Sequence, residues 1–282
     1  MPLTIPAPAV AASPLLVEIE LGLMLKARDA GAATVPCSLD LRRSTGTVDL
    51  GRGDWGWMGR RFPYPERLKE RTIYYWSGEV FEPVARYNGS LIKLVPTDWG
   101  PPTFEMDGIK MLPTAQVSPY ADAARKVDLI QPRGKVVLDT CGGLGYFAAW
   151  CVQKQAARVL SYEKSKDVIW LRSLNPWSPG PDASFTLTQQ DITEAITDLA
   201  AASIDAVLHD PPRFGIAGEL YSQIFYDQLA RVLKRRGKLF HYTGTPNKLT
   251  SGRDVPREVT NRLRVAGFSV EKVGDGLLAS KR

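Results

Sequence analysis

The stretch KVVLDTCGGLGYFAAW, residues 135–150, runs from an apolar segment through a glycine-rich turn into a second apolar segment. Val136-Val137-Leu138 has the continuous apolar character of a strand buried on both faces. The glycines that follow mark a tight turn, and the residues after Gly145 open a helix. In a strand–turn–helix unit of this kind, ligands bind at the carboxyl end of the strand, where glycines let them approach the backbone. Gly143-Leu144-Gly145-Tyr146-Phe147-Ala148 fits the G-x-G-x-x-A pattern, which several nucleotide-binding families share. Asp139 narrows the choice. A carboxylate at the strand end can accept from an ammonium group or organise water, but it would repel a pyrophosphate crossing the turn.

Working outward, apolar strands alternate with amphipathic helices from about residue 115. RVLSYE, SFTLTQQD, DAVLHD, KLFHYTG and FSVEKV read as strands; KDVIWLRSL, DITEAITDLA, ELYSQIFYDQLARVLKRRG and PREVTNRLRVAG lie between them as helices. Strands separated by helices imply parallel crossovers and a doubly wound α/β sheet. RVLSYE ends in Glu163, placed about 20 residues past the glycines, where an acidic side chain can hold ribose hydroxyls. Asp139 and Glu163 together describe a ligand carrying a ribose and a cationic amine.

Farther on stands Val207-Leu208-His209-Asp210-Pro211-Pro212-Arg213-Phe214. The chain has 2 histidines. The second, His241, closes KLFHYTG, so both are expected at the carboxyl ends of adjacent parallel strands, facing one crevice. A histidine there can serve as acid, base or donor near neutral pH, or it can be a satisfied polar group anchoring a loop. His209 and Asp210 are consecutive, so their side chains point to opposite sides. Neither proline has an N–H, which leaves carbonyls at this turn available to a substrate. Arg213 suits a carboxylate or phosphate, and Glu219, at the start of the next helix, is a candidate substrate contact. In that helix Leu220, Ile224, Leu229 and Leu233 form the expected core stripe, with Tyr221, Tyr226 and Asp227 read as structural.

These motifs resemble the class I S-adenosylmethionine-dependent methyltransferases. VLDTCGGLGYFA is similar to their motif I, which implies that Asp139, Cys141, Gly143 and Gly145 line the cofactor. Cys141 stands where the family often has glycine. Glu163 then matches the acid on the cofactor ribose, Asp191 of TQQD matches the carboxylate that contacts the adenine amine, and HDPP matches motif IV. The resemblance covers residues 115–282 and implies a Rossmann-like methyltransferase domain with S-adenosyl-L-methionine as cofactor and no metal. It implies that Asp210 and the Pro211 carbonyl hold the acceptor; by their positions His209 or His241 is then expected to remove its proton, and Arg213 and Glu219 to contact it. Amino-group methyltransferases carry a similar [D/N]-P-P-aromatic stretch; here Arg213 takes the aromatic position, so the acceptor, an amine or an RNA base, stays open. LVPT, PPTFEMDGIKM, LNPWS, HDPPRF-x-x-AGELYS and LFHYTGTPNK, with the glycine block, resemble a subgroup of predicted methyltransferases frequent in archaea, which implies a fold and a cofactor but no acceptor.

Residues 35–114 have a different rhythm. SLDLRRSTGTVDL alternates around Thr45-Gly46, and Asn88-Gly89 and Asp107-Gly108 are hairpin signals. A β-rich domain is expected here, with GDWGWMGRRFPYPE as a loop carrying exposed aromatics. Residues 1–34 are expected to be a proline-broken leader and one short helix, stopped by Gly31 and with Leu15, Leu16, Ile19, Leu23 and Leu25 on one face. The leader lacks the basic region of a signal peptide, and no apolar stretch is long enough to span a bilayer.

The composition, 44% hydrophobic and 23% charged, excludes a fibrous or disordered chain. A net charge of +6 is compatible with a polyanionic partner without requiring one. Basic residues of 42–71 are interleaved with acids and read as a mixed surface, whereas Arg231, Lys234, Arg235, Arg236 and Lys238 are expected to decorate a helix end. Cys37, Cys141 and Cys151 have no metal-type spacing, so a reducing cytoplasm is expected. A homodimer is a candidate assembly. Two rivals remain. An aminopropyltransferase of the polyamine-synthase type would share the fold, but Leu144 stands where its glycine loop carries aspartate. A non-catalytic RNA-binding protein would stack bases on the 54–71 loop.

Overall fold

The structure, a computed structural model, describes residues 3–5, 13–244 and 254–282. The last residues of LFHYTGTPNK and most of the expected leader lie outside these. The chain divides into two compact units: Pro8–Asp122 with Trp170–Ser178, and Met1–Ala7 with Ala123–Ile169 and Pro179–Arg282. The single boundary expected near residue 115 differs from this, because LNPWS joins the β-rich unit. There the Trp177 indole N–H donates to the Leu41 carbonyl (3.0 Å), and Arg86 stacks over Trp170 at 3.7 Å.

β1 (Leu3–Ile5) pairs antiparallel with a strand of the larger unit and so corrects the leader reading at those residues. The β-rich unit then runs β2 (Leu15–Leu16), α1 (Glu18–Asp29), β3 (Thr34–Cys37), β4 (Gly46–Leu50), β5 (Asp54–Trp57), β6 (Arg60–Pro63), β7 (Tyr74–Trp76) and β8 (Phe81–Pro83). It ends with β9 (Ala85–Tyr87), β10 (Leu91–Val95), β11 (Thr103–Met106) and β12 (Ile109–Lys110). Its antiparallel sheets are β3-β4-β5-β6, β2-β7-β8 and β12-β11-β10-β9.

Gly89 and the Asp107-Gly108 pair close hairpins at positive φ, as those signals require. The expected aromatic loop is instead the β5–β6 hairpin, turned at Met58-Gly59 with both φ positive. Trp55 and Phe62 are stacked in its core, 4.7 Å between centroids, because alternation along each strand points them inward. Those rings are packed and cannot stack on bases. The helical stripe also shifts. Leu15-Leu16 pairs with β7, so α1 starts later than expected; Ile19 and Leu23 face outward while Leu21 and Met24 are buried.

The larger unit contributes most of α2 (Pro119–Ile130), then β13 (Val136–Asp139), α3 (Tyr146–Gln153), β14 (Arg158–Glu163), the start of α4 (Lys166–Leu174), β15 (Phe185–Gln189) and α5 (Ile192–Ala195). It continues through β16 (Ile204–His209), α6 (Gln223–Val232), β17 (Leu233–Tyr242), α7 (Val255–Val265), β18 (Phe268–Val273) and β19 (Gly276–Lys281). The sheet order is β1-β15-β14-β13-β16-β17-β19-β18, with β15 to β17 parallel and β19 antiparallel between β17 and β18. The chain runs outward from β13 to β15 and then returns to β16 on the other side of β13. The order therefore reverses between β13 and β16, which fixes where a crevice opens.

α6 is capped by Ser222, whose hydroxyl accepts from the Phe225 N–H at 3.2 Å. Its buried face is Phe225, Tyr226, Leu229 and Val232, each worth roughly 1.5–3 kcal/mol when fully buried. The expected stripe fails at Ile224, which is 77% exposed, because Leu220 belongs to a preceding single turn and Leu233 already starts β17. The basic cluster mostly leaves the helix for the same reason: Lys234 lies in β17 and pairs with Asp205 at 2.7 Å.

Candidate active site

At the end of β13, Asp139 is buried and accepts from the Ser161 hydroxyl of β14 at 2.8 Å. The Thr140 N–H still reaches Leu208 O, after which the chain leaves the sheet. Gly142 N–H donates to Tyr162 O (2.7 Å), Gly145 N–H to Gly142 O (2.7 Å), and Gly143 N–H to the Glu163 carboxylate (3.0 Å). Gly143 and Gly145 sit at φ +48° and +82°, a region where a Cβ is strained, so the turn needs glycine there. Gly145 caps α3 without a side chain, leaving the helix N-terminus to present backbone N–H groups. The other Glu163 oxygen accepts from Ser165 N–H at 2.9 Å.

Asp191 caps α5 and accepts from the Thr193 N–H (2.9 Å) and hydroxyl (2.8 Å). Burial pushes its carboxyl upward, but the Thr193 donors and the Lys164 ammonium outweigh this and hold it below the usual range. Lys164 bridges Asp191 and Glu219, 3.4 Å from each. Burial keeps the Cys141 thiol well above its ordinary pKa, against the opposing Thr140 hydroxyl, so it is a neutral group beside the turn.

On the other side of the reversal, His209 and His241 are register partners on β16 and β17. Their rings meet edge to face at 4.4 Å, and both are fully buried. His209 Nε2 lies 3.1 Å from Leu220 O, which can only accept, so Nε2 carries the proton and Nδ1 accepts from the Thr140 hydroxyl at 2.7 Å. By the same logic His241 Nδ1–H donates to Tyr242 O (2.8 Å), and Nε2 accepts from the Tyr226 hydroxyl (2.9 Å). Burial lowers His209 to about 4 and, with the neighbouring His209, takes His241 well below its ordinary value. The two rings share one side, as expected, but that side is interior packing and not a crevice. Both ring nitrogens of each are engaged.

Asp210 points the opposite way, and its carboxylate meets the Lys126 ammonium at 3.2 Å. Lys126 is 2% exposed and lies 4.3 Å from the Tyr242 ring centroid. Pro211 is buried, and Pro212 O accepts from the Tyr221 hydroxyl at 3.0 Å. The expectation of available turn carbonyls thus fails at Pro212, since Tyr221, in the single turn before α6, supplies a donor. Arg213 is exposed, and Phe214 packs edge-on against Tyr221 at 5.3 Å.

The structure therefore gathers Asp139, Cys141, Gly143, Gly145 and Glu163 around one turn, with Asp191 and Glu219 joined through Lys164. Sequence reasoning missed Lys164, Ser161, Thr140 and, above all, Lys126. Ala123, Lys126, Val127 and Ile130 recur at helical spacing and are all buried, so a lysine on an apolar stripe was the available signal. Among the described residues no group of three His, Cys, Asp or Glu side chains could hold a metal, and no helix is long and apolar enough to cross a membrane.

This geometry is the Rossmann-like fold of the class I methyltransferase type, carrying a glycine turn between two strand-end carboxylates. Solved structures of similar fold include a spermidine synthase in complex with the transition state analogue AdoDATO (TM-score 0.55, 16% identity, 75% of this chain and 80% of that one). Others are the spermidine synthase of Thermotoga maritima (TM-score 0.52, 16% identity, 73% and 76%) and MNMC2 of Aquifex aeolicus (TM-score 0.50, 16% identity, 69% and 71%). No family model matches the chain. It is 41% identical over 212 residues, 74% of its length and 72% of the relative's, to the uncharacterized protein MJ1233 of Methanocaldococcus jannaschii, and it belongs to that protein's family.

Proposed function

We propose that the protein is an S-adenosylmethionine-dependent methyltransferase acting on an N–H acceptor such as an amine or an RNA base. The observation that carries this reading is the pair of carboxylates, Asp139 and Asp210, on either side of the strand-order reversal, with the Gly143 N–H tied to Glu163 between β13 and β14. The residues present fit a cationic sulfur nucleoside. The turn has no side chain at Gly143 and Gly145, Glu163 would hold the ribose, Asp191 would accept from the adenine amine, and Asp139 from the ammonium. When bound, S-adenosylmethionine supplies an activated methyl group, so the protein's share of the work is positioning. Asp210 would orient the acceptor. Thr140, His209, His241 and Tyr226 would hold β16 and β17 in register behind it, with neutral rings that neither take nor give a proton at pH 7. The relative in M. jannaschii supports placing the chain in the archaeal subgroup suggested by its motifs.

Aminopropyl transfer is the second reading, favoured by the fold shared with spermidine synthases. Leu144 opposes it, being buried against the turn where an aspartate would be needed. Calorimetric titration with S-adenosylmethionine and with its decarboxylated form separates the two, and a radiolabelled methyl-transfer screen against RNA, protein and small-molecule pools then identifies the acceptor. Tighter binding of the decarboxylated form would overturn the methyltransferase reading.

A further inference from the structure

Lys126 occupies a position that the cofactor reading does not use. Its four-carbon stem leaves the apolar face of α2, and its ammonium stands 3.2 Å from Asp210 Oδ2, 4.3 Å from the Tyr242 ring centroid and 5.8 Å from that of Phe147. These groups come from the ends of β16 and β17 and from the first turn of α3, so the ammonium lies beside the glycine turn. A carboxylate on one side and aromatic faces on the others is how proteins receive an alkylammonium. With Lys126 only 2% exposed, that receptor is filled from within.

We propose that Asp210, Tyr242 and Phe147 form a cation seat occupied by the chain's own Lys126, so that the acceptor reaching Asp210 is an uncharged N–H group and cationic polyamines are turned away. This inference rests on the transferase reading and narrows its substrate class. A carboxylate has about four acceptor positions, so Asp210 can hold Lys126 and still accept from a neutral amide or nucleobase N–H. A second ammonium about 4 Å from the first would bind roughly a thousandfold more weakly at the effective dielectric of a protein site. A neutral donor incurs no such repulsion.

The test is calorimetry on the full chain with putrescine and n-butylammonium as probes. The wild type is expected to bind neither at millimolar concentration. Lys126→Ala should gain n-butylammonium affinity by about tenfold or more as the seat is vacated, and Lys126→Ala/Asp210→Asn should lose that gain. Putrescine binding to the wild type as tightly as to Lys126→Ala overturns the proposal, and so does an unimproved n-butylammonium affinity in a folded Lys126→Ala. Should that variant not fold, the wild-type arm decides alone: a dose-dependent rise in melting temperature with putrescine overturns the seat, and its absence supports it. S-adenosylmethionine titrated into the same wild-type sample reads the transferase assignment separately, since a missing heat there removes the transferase and leaves the probe result standing.

Discussion

The two sides of the strand-order reversal are built from the same element, the carboxyl end of a parallel strand, yet they treat polar groups in opposite ways. On the β14–β15 side Glu163, Lys164 and Asp191 are partly open, and Lys164 keeps 54% of its side chain exposed. On the β16–β17 side His209, His241 and Lys126 are sealed at 0%, 0% and 2%. Open groups can exchange partners with a ligand. Sealed ones do so only at a cost, because breaking any of their bonds leaves a buried polar group unmatched. In the proposed reading the first side would receive the nucleoside, and the second would hold Asp210 at a fixed place.

The contrast is most directly broken at Lys126. Lys126→Met removes one partner of a buried pair and should cost about 3–5 kcal/mol of unfolding free energy. Lys126→Met/Asp210→Asn should recover much of that loss, since it leaves no uncompensated charge. Urea denaturation of both variants measures this, and equal stability of the single and double variants would show that the pair is not coupled. The proposed nucleoside side is probed by binding, at Asp139, which is buried at the end of β13. Asp139→Ala should weaken S-adenosylmethionine by about a hundredfold, close to 2.7 kcal/mol, whereas Asp210→Asn should change it by less than about threefold. Similar effects at the two carboxylates, read by calorimetry, would erase the distinction between the sides.

Acid sharpens the comparison further. The folded-state pKa of His209 lies near 4, below the unfolded value of about 6.5. The unfolded chain therefore binds more protons between these values, and stability falls as pH drops through that window. From pH 7 to pH 5 the loss from His209 alone should be about 2 kcal/mol, with His241 adding to it in the same direction. Asp191 and Asp205, held below the carboxylate range, act near and below pH 4, whereas Glu20, raised by burial, gains stability as the pH falls and offsets part of the histidine loss. A denaturation midpoint unchanged between pH 7 and pH 5 would mean that the rings are not sealed.

How much of this was legible depended on whether a residue's type agreed with its surroundings. KVVLDTCGGLGYFAAW could be read because continuous burial, glycine and helix signals all point to one local structure. The Asp107-Gly108 hairpin was legible for the same reason. The β5–β6 hairpin was not, since Met58-Gly59 lacks the asparagine or aspartate that marks such a turn, and a loop reading leaves Trp55 and Phe62 exposed where the hairpin buries them. Ile19, Leu23 and Ile224 are apolar yet face outward, where tertiary packing overrode the stripe. Lys126 failed in the opposite sense: its type says surface, and only its spacing with Ala123, Val127 and Ile130 says core. The histidines were placed on the right strands, but their burial depends on Thr140, Leu220 and Tyr226, residues brought together by the fold and not by local pattern.

The smallest expected effect falls on the most open group. Lys164 spans Asp191 and Glu219 at 3.4 Å each, and both carboxylates are themselves 30% and 47% exposed. Ion pairs of that exposure are screened and contribute little, so Lys164→Ala should change stability by less than about 1 kcal/mol. Its effect on S-adenosylmethionine is informative because the two readings of Lys164 differ in sign. If the ammonium competes with the nucleoside for Asp191, its removal should strengthen binding by about twofold to fivefold, and raising the salt concentration should mimic the substitution in the wild type. If Lys164 instead holds Asp191 in place for the ligand, the variant binds more weakly and salt has the same weakening effect. Calorimetry at two ionic strengths distinguishes them. A weaker-binding Lys164→Ala would make the open side, like the sealed one, a prearranged support, and the contrast between the two halves would shrink to a difference in exposure alone.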